Sequence, residues 1–477
     1  MRNATLARLR WAGLYRESDL YKAAIRLYTR PLFSWRKALV ASSDGRTLYD
    51  FARQGLRNLD ALHRSLAARR FAFRPGIALR REFHGKRRTL HIFPWEERVV
   101  DLLLFRLLNR RLSGWFSPNS YAYRDRGYGV DLCQRRIARL LTRSSRPLYA
   151  LKRDVADYFP SIDHEILLAQ LRELVDPDDF LFELLEQRVR FTWQEGGGPH
   201  TASRGVPFGA AIACLFANVY LTPLDRTMER TGVHWFRYAD DLLALSPDRD
   251  WTLTASGALD EALARLRLLP KPSHALDQVV GRERVEDPIF PWAPRLRHLG
   301  LELGADGTTR LPREKFRKLC NLFRYAFRRR RGGIRRLRDP AARAARAIAV
   351  ASGVIDEGVR NVAIIDYYLK HVNDEEQLRR LDRWLAEEVL AVTFGGHRRG
   401  HFRRLPFGTL REMGLPSLVH RRRLLLHRAI DSSFFIWQHA QQEKMDRGTA
   451  ARPRRGARAS GAGAFSPRPA AAAVRSS

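Results

Sequence analysis

The feature that most constrains this chain is an acidic pair set between two apolar, β-prone runs, from His234 to Leu245. Two such runs joined by a short turn predict a β-hairpin with Asp240 and Asp241 at its tip. Apolar residues on both strand faces indicate that the hairpin is buried, where adjacent carboxylates need a cation. The alternative is an ordinary acidic turn in a surface hairpin.

A third carboxylate stands at the end of another apolar strand, residues 148–154. If Asp154 lies beside the hairpin tip, three carboxylates meet, and two like charges ~4 Å apart repel by about 4 kcal/mol at an effective dielectric near 20. Such a cluster requires bound metal or protonation. Asp157 and Asp163 are alternatives in the same segment, but the strand-end position before an aromatic pair favours Asp154.

The expected cofactor is a pair of Mg²⁺ ions, because Mg²⁺ favours carboxylates, waters and phosphate oxygens. Mn²⁺ is the alternative ion. Two ions ~3.5–4 Å apart can activate a primer 3′-hydroxyl and stabilise the leaving pyrophosphate in one in-line displacement. Asp154, Asp240 and Asp241 are therefore predicted to be both metal ligands and catalytic residues.

The charge of the chain favours nucleic acid as a partner. Lys and Arg number 86 against 51 Asp and Glu, a formal net charge of +35 that a polyanion would neutralise. A membrane is not expected to be a partner, since no apolar run approaches the ~18–20 residues that span a bilayer. Three cysteines without a CxxC pair disfavour disulfides and a zinc site, and favour the reducing cytoplasm.

The order of patterns along the chain predicts an α+β fold in four parts. A helical N-terminal region, an alternation of strands and helices, a helical basic region and a disordered basic tail are expected over residues 1–70, 71–305, 306–440 and 441–477. The N-terminal helix is indicated by leucines at helical spacing, namely Leu56, Leu59, Leu62 and Leu66. A hairpin with a basic tip is expected between Ile77 and Pro94.

The blocks around the three aspartates resemble the reverse transcriptase superfamily, especially bacterial enzymes related to those of group II introns, retrons, diversity-generating elements and defence systems. Tyr238-Ala-Asp-Asp241 is similar to the signature box of that family, and Asp154 with residues 159–164 is similar to its first catalytic block. The resemblance covers roughly residues 20–436. It implies a right-hand polymerase, with fingers and palm over 71–305 followed by an α-helical thumb.

The resemblance also implies roles for residues outside the trio. Phe159 matches a ring that excludes a 2′-hydroxyl, so dNTPs are the expected substrates; the alternative is a core aromatic. Lys86 and Arg88 match positions that contact the incoming triphosphate, although a basic hairpin tip can be merely solvated. Lys271 resembles a lysine that donates a proton to pyrophosphate.

Residues 205–209 resemble the block of the family that positions template and nucleotide, and a turn before a packed helix is the alternative. Phe208 stands where Gln is usual, and Ala213-Cys214 stands where Ser-Pro or Ser-Gln is usual. Because glycine lacks a Cβ, it would let the backbone approach the substrate closely. The substrate-binding residues expected in the two blocks are Gly205, Pro207, Phe208, Gly209 and Tyr238.

Together these features predict an RNA-directed DNA polymerase, a nucleotidyltransferase that extends a DNA or RNA primer on an RNA template with dNTPs. A cognate structured RNA is the expected partner, with a role in anti-phage defence or as a domesticated retroelement. One alternative is an RNA-binding maturase or ribonucleoprotein component with the same fold, which the intact aspartates disfavour. The other is an untemplated or protein-primed DNA synthesiser.

Overall fold

The computed structural model describes seven parts of the chain, residues 7–29, 37–38, 41–83, 86–124, 127–271, 277–356 and 362–427. The chain divides into two compact units, residues 1–317 with 371–374 and residues 318–370 with 375–477. In the described residues, the first unit mixes strands and helices and the second is helical. The α+β prediction is therefore confirmed. The predicted tail, 441–477, lies outside the described residues, and the four-part division stays a prediction.

The strands form three sheets. They are β1 Gly76–Phe83, β2 Lys86–Ile92, β3 Leu148–Asp154, β4 Thr192–Glu195, β5 Gly198–Thr201, β6 His234–Tyr238, β7 Asp241–Ser246, β8 Gln278–Val280, β9 Trp292–Ala293, β10 Arg295–His298, β11 Leu301–Gly304 and β12 Thr309–Arg310. The sheet orders are β2-β1-β4-β5, β6-β7-β3-β8-β9 and β10-β11-β12. In the five-stranded sheet β3 pairs antiparallel with β7, and β7 with β6.

The first unit carries eleven described helices and shares a twelfth with the second. They are α1 Trp11–Leu14, α2 Glu17–Thr29, α3 Leu48–Arg53, α4 Gly55–Ala67, α5 Trp95–Arg111, α6 Val130–Arg143, α7 Tyr158–Ser161, α8 His164–Leu174, α9 Phe180–Val189, α10 Ala213–Arg230, α11 Arg249–Arg265 and α12 Arg313–Arg335. Those that follow are α13 Pro340–Asp356, α14 Val362–His371, α15 Glu375–Phe394, α16 His401–Arg404, α17 Phe407–Glu412 and α18 Leu418–Leu426. No described helix is long and apolar enough to cross a bilayer.

The core of the first unit lies between the five-stranded sheet and its helices. Helix α10 contacts β6, and α11 contacts β3 and β7. Leu215, Phe216 and Val219 on α10 and Leu242 and Leu245 on β7 are almost fully buried. Burying a side chain of this size stabilises the fold by about 1.5–3 kcal/mol, so the sheet that ends at the aspartates is firmly held.

The predicted N-terminal helix is present, but one of its four leucines faces solvent. Leu59, Leu62 and Leu66 of α4 are buried, whereas 74% of the surface of Leu56 is exposed. Leu56 lies on the first turn of the helix, rotated away from the stripe that the other three form. The spacing indicated a helix, and the structure shows which of the four leucines are buried.

Candidate active site

The predicted acidic hairpin is formed by β6 and β7. Tyr238 pairs with Asp241 across the strands, which leaves Ala239 and Asp240 as a two-residue turn. Ala239 has a φ of +57°, a left-handed conformation that is costly for a residue with a Cβ. Arg237 Nη1 donates to the Ala239 carbonyl at 3.4 Å and helps to hold this turn.

The antiparallel pairing of β3 with β7 places Asp154 directly opposite Asp241. Residues directly opposite in such a pair have Cβ atoms ~4.5–5.5 Å apart. Asp240 immediately precedes Asp241 in the chain and lies at the tip of the same hairpin. Asp154 and the Asp240-Asp241 pair, 86 residues further along the chain, therefore meet at one end of the five-stranded sheet.

This crowding changes the proton affinity of the carboxylates. Burial, with the neighbouring carboxylates Asp154 and Asp240, raises the pKa of Asp241 to about 6 against the opposing effect of Lys152. Burial and the charge of Asp154 also raise the pKa of Asp240. Both ionised forms are destabilised until a positive charge joins them.

Two lysines supply part of that positive charge. Lys271 Nζ forms an ion pair with Asp154 Oδ2, and Lys271 N donates to the Asp154 carbonyl at 2.8 Å. Lys152 Nζ lies 3.7 Å from Asp241 Oδ1, close enough for an ion pair but too far for a hydrogen bond. Among the described residues, Asp241 Oδ1 is buried without a hydrogen-bond partner.

The donor set fits divalent metal ions. Within the described ranges, no three His, Cys, Asp or Glu side chains converge tightly enough to hold an ion by themselves, and ammonium groups contact the carboxylates instead. The orphaned oxygen of Asp241 and its raised pKa both indicate that more positive charge is needed. Asp154, Asp240 and Asp241 offer the hard oxygen ligands that Mg²⁺ and Mn²⁺ take, and would hold the ions.

His298 is a site residue that the sequence reasoning missed. Its side chain is fully buried, and Nδ1 lies 3.4 Å from Asp241 Oδ1. Burial, with the charge of Lys152, lowers the pKa of His298 to about 3, so that its imidazole is neutral at neutral pH. His298 ends β10, which pairs antiparallel with β11, but its contact with Asp241 joins two sheets, and no local pattern reveals it.

A buried ion pair beneath the acidic hairpin was also missed. Arg237 donates from Nε to Asp225 Oδ1 at 2.7 Å and from Nη2 to Asp225 Oδ2 at 2.6 Å. Trp235 Nε1 donates to the same carboxylate at 2.8 Å, which joins β6 to α10. The available signal was an arginine in an otherwise apolar strand, since a buried charge must be paired.

The residues predicted to contact the nucleotide come together near the trio. The ring of Phe159 packs edge-to-face against Phe208, with centroids 5.6 Å apart, and against Tyr123 at 6.4 Å. The Arg88 guanidinium lies 5.4 Å from the centroid of the Phe208 ring. Lys86 begins β2, and its side chain lies outside the described part of the chain.

Backbone hydrogen bonds fix the 205–209 loop beside this pocket. Gly205 N donates to the Ile162 carbonyl at 2.7 Å, and His91 N donates to the Phe208 carbonyl at 3.0 Å. Gly205 has a φ of +81°, and a Cβ there would lie 2.9 Å from the Pro160 carbonyl oxygen. The close approach expected of this glycine is therefore to the backbone of Pro160.

The other two residues of the block complete the turn into α10. The Pro207 carbonyl accepts from Ala210 N at 3.0 Å. Gly209 has a φ of +114°, and a Cβ there would lie 3.3 Å from the His91 carbonyl oxygen. The close approach of Gly209 to His91 places the loop against β2, the strand that carries Arg88.

A carboxylate trio on a mainly antiparallel sheet, beside a pocket of aromatic and arginine side chains, is the arrangement expected of a nucleic-acid polymerase palm. Residues 82–272 match the family model described as "Reverse transcriptase (RNA-dependent DNA polymerase)". The match covers less than half of the chain and places the aspartates and the pocket inside a segment that is similar to reverse transcriptases.

Other similarities are more distant. Protein YkfC of Escherichia coli (strain K12) is 26% identical over 145 residues, which is 30% of this chain and 38% of that protein. The chain thus covers well under half the length of this curated relative. Among solved structures, apo telomerase from Candida tropicalis, truncated from its C-terminal domain, has a TM-score of 0.40 at 11% identity, over 50% of this chain and 55% of that one. Telomerase from Candida albicans, solved with a fragment of telomeric RNA, has a TM-score of 0.42 at 11% identity, over 79% and 67%.

Proposed function

We propose that this protein is an RNA-directed DNA polymerase that extends a DNA or RNA primer on an RNA template with dNTPs. The observation that carries the proposal is the register that sets Asp154 opposite Asp241, beside Asp240. That register lies inside the segment that matches the reverse transcriptase family. The intact trio favours a polymerase over a maturase that only binds RNA.

The three aspartates hold two Mg²⁺ ions in this proposal, with Mn²⁺ as the alternative. When bound, such ions supply Lewis acidity to the primer 3′-hydroxyl and to the leaving pyrophosphate. The protein's own part is to fix the oxygen ligands before substrate arrives. The β3–β7 pairing and the Arg237–Asp225 ion pair do this through backbone and side chain respectively.

Substrate selection falls to the pocket beside the trio. Arg88 lies on an exposed strand and supplies positive charge to a triphosphate. Phe159 is held edge-on by Phe208 and Tyr123, so its ring is a fixed wall that excludes a 2′-hydroxyl. The fixed position of the ring matters, because a mobile side chain would move aside and admit the 2′-hydroxyl of a ribonucleotide.

Lys271 is the proposed proton donor to pyrophosphate. Its Nζ contacts Asp154, and its backbone N–H anchors it to the same residue. A cation bound by Asp154 would compete with the ammonium group for that carboxylate. The freed ammonium would then remain beside the site, with a proton to give.

The biological setting is also a proposal. A cytoplasmic role in anti-phage defence, or as a domesticated retroelement, fits a strongly basic chain in which Cys133, Cys214 and Cys320 form no disulfide in the described residues. Sequencing the RNA that co-purifies with the protein tests this role. Enrichment of one structured transcript supports a cognate RNA, and bulk cellular RNA alone contradicts it.

Primer extension on matched RNA and DNA templates tests the activity. The full chain is expected to add the complementary dNTP on the RNA template, and Asp240→Asn is expected to abolish this. Asp250→Asn is the matched control, because the Asp250 side chain is 88% exposed on α11. Addition that ignores the template would favour an untemplated synthesiser, and an inactive parent that still binds RNA would favour a maturase.

A further inference from the structure

The second unit contains a large cavity that the polymerase proposal does not use. Its volume is about 1470 Å³, and its walls come from α15, α16, α17, α18 and the 395–400 loop. Sites for single small molecules measure ~300–1,000 Å³. A segment of a polymer fits this cavity better than one nucleotide does.

The lining is strongly basic. Two carboxylates, Asp382 and Glu387, face three histidines and six arginines; the arginines are Arg379, Arg383, Arg398, Arg399, Arg411 and Arg423. With neutral histidines, six positive and two negative charges leave a formal +4. This balance favours a polyanion as the ligand.

The two carboxylates are already engaged. Asp382 accepts from Ser417 Oγ at 2.6 Å and from Leu418 N at 2.7 Å, which secures the start of α18. Glu387 lies 3.5 Å from Arg383 Nε, one turn away on α15. Both carboxylates therefore already have partners within the second unit.

Two arginines of the loop are different. Among the described residues, Arg398 and Arg399 form no ion pair with a carboxylate, and both are exposed. Their loop is anchored where it leaves α15, because Gly395 N and Gly396 N both donate to the Ala391 carbonyl at 2.9 Å. Two unpaired guanidinium groups are thus held at the cavity wall by a capped helix end.

A buried polar atom in the wall also lacks a partner. His401 is 7% exposed, and its Nδ1 has no hydrogen-bond partner among the described residues. Its ring packs against Phe394, with centroids 5.0 Å apart, so it cannot turn freely towards solvent. A buried polar atom without a hydrogen-bond partner is unfavourable, and a ligand in the cavity would supply that partner.

Aromatic side chains complete the lining. Phe402 and Phe407 face the cavity, and 37% of the surface of Phe407 is exposed. Arginines that track a phosphate backbone, with aromatic rings on which bases stack, are the features that bind single-stranded nucleic acid. A duplex keeps its bases stacked on each other and could not use the rings.

We propose that this cavity binds a single-stranded polynucleotide segment of a few nucleotides, through its phosphodiesters and at least one stacked base. Arg398 and Arg399 contact the phosphates, and Phe407 stacks on a base. The site goes beyond the proposed polymerase function, since it lies outside the matched residues 82–272. RNA and DNA single strands share this chemistry, and the experiment separates them.

Fluorescence anisotropy with the full chain tests the proposal. The probes are one labelled 15-nucleotide sequence as RNA, as DNA and as a duplex, titrated at several salt concentrations. Arg398→Gln combined with Arg399→Gln is expected to weaken single-strand binding at least 10-fold, and to lower the salt slope by about 1.4 for two lost phosphate contacts. Arg53→Gln combined with Arg57→Gln removes the same charge from exposed positions of the first unit and is expected to change binding less than 2-fold.

Phe407→Ala keeps every charge and separates stacking from electrostatics. It is expected to weaken single-strand binding with an unchanged salt slope. A larger loss of affinity for RNA than for DNA identifies RNA as the ligand, and equal losses show that the site accepts both. Either result supports the site. Equal losses in the two arginine double variants, or duplex binding as tight as single-strand binding, would overturn it.

Photocrosslinking locates the bound strand directly. A single strand carrying 4-thiouridine, or 4-thiothymidine for DNA, is expected to crosslink to peptides within 396–423. Crosslinks confined to the first unit would refute the inference. If the unmodified protein crosslinks at 396–423 but does not extend a primer, only the proposed polymerase function is contradicted. If it extends a primer but does not crosslink there, only this binding site is contradicted.

Discussion

Two hairpins of the first unit carry opposite charges and lie in opposite environments. The acidic hairpin, β6–β7, lies in the core of the first unit. Leu242 and Leu245 are fully buried, and β3 pairs with β7. The basic hairpin, β1–β2, has Arg87 and Arg88 exposed on its outer strand. One hairpin is fixed by the core, and the other projects its charges into solvent.

This difference separates two tasks. Carboxylates that must hold ions at fixed positions need a rigid frame, and burial raises their pKa until a cation arrives. A basic strand that attracts a triphosphate needs accessible charge more than exact position. Changes in the acidic hairpin should therefore affect the rate of chemistry, and changes in the basic hairpin should affect substrate binding.

The largest effect is expected from Asp154→Asn. Removing one ligand charge should lower kcat on the order of 10³-fold or more, with KM for dNTP nearly unchanged. Single-turnover extension measures this. Asp157→Asn is the control, three residues along the chain and exposed; equal losses in both variants would show that the assignment of Asp154 is wrong.

A smaller effect is expected from Phe159→Ala, which removes the wall of the sugar pocket. The ratio of kcat/KM for dNTP over rNTP should fall by roughly 10–100-fold, about 1.4–2.7 kcal/mol of discrimination. Competition assays with both nucleotides measure the ratio. An unchanged ratio would mean that Phe159 is only a core aromatic.

His298→Ala tests whether a buried neighbour orients Asp241. The variant should lower kcat about 10-fold, because it removes the buried imidazole that lies 3.4 Å from Asp241 Oδ1 and limits the movement of that carboxylate. The metal concentration for half-maximal activity should rise as well. His298→Asn, which keeps a donor, should recover part of both parameters, and a variant that only melts earlier would contradict the positioning role.

Arg88→Gln should affect binding and leave chemistry intact. KM for dNTP is expected to rise about 5–10-fold while kcat stays within about 2-fold, since one charge-assisted contact is lost. Arg87→Gln is the matched control, because adjacent residues of a strand point to opposite faces. Steady-state kinetics measure both parameters. If kcat falls as much as KM rises, the basic hairpin does not act on substrate binding alone, and the proposed difference between the two hairpins is wrong.

The smallest effect concerns stability without metal. The folded-state pKa of Asp241, about 6, lies above the usual 3.8, so stability falls as pH rises from about 4 to 6, and the full penalty remains above pH 6. Asp241→Asn should then raise the free energy of unfolding by about 1 kcal/mol at pH 7.5, after a discount for solvent screening. Urea unfolding with EDTA measures this, and the gain should vanish at pH 4.

The local parts of this architecture were predictable from the sequence. The acidic and the basic hairpin could both be predicted, because the alternation of apolar and polar residues and the turn residues between strands are signals that span only a few positions. Asp154 was placed by the end of an apolar strand. The β4–β5 hairpin, Thr192–Glu195 and Gly198–Thr201, was not predicted, since its short strands are only partly buried and carry no clear alternation.

Long-range contacts were less accessible. Lys152 and His298 flank Asp241 from separate strands, and neither strand carries a local signal of that contact. The partner of Arg237 could be predicted to exist, because a buried guanidinium needs one, but not to be Asp225 on α10. Sequence patterns therefore predicted the three carboxylates that come together better than the residues that surround them.

The most direct test of the central claim is to locate the metal ions. Crystals of the protein with primer, RNA template, a non-hydrolysable dNTP and Mn²⁺ would reveal the ions by anomalous scattering. Two peaks ~3.5–4 Å apart, within bonding distance of Asp154, Asp240 and Asp241, are expected. Peaks elsewhere, or none at this end of the sheet while substrate is bound, would contradict the account.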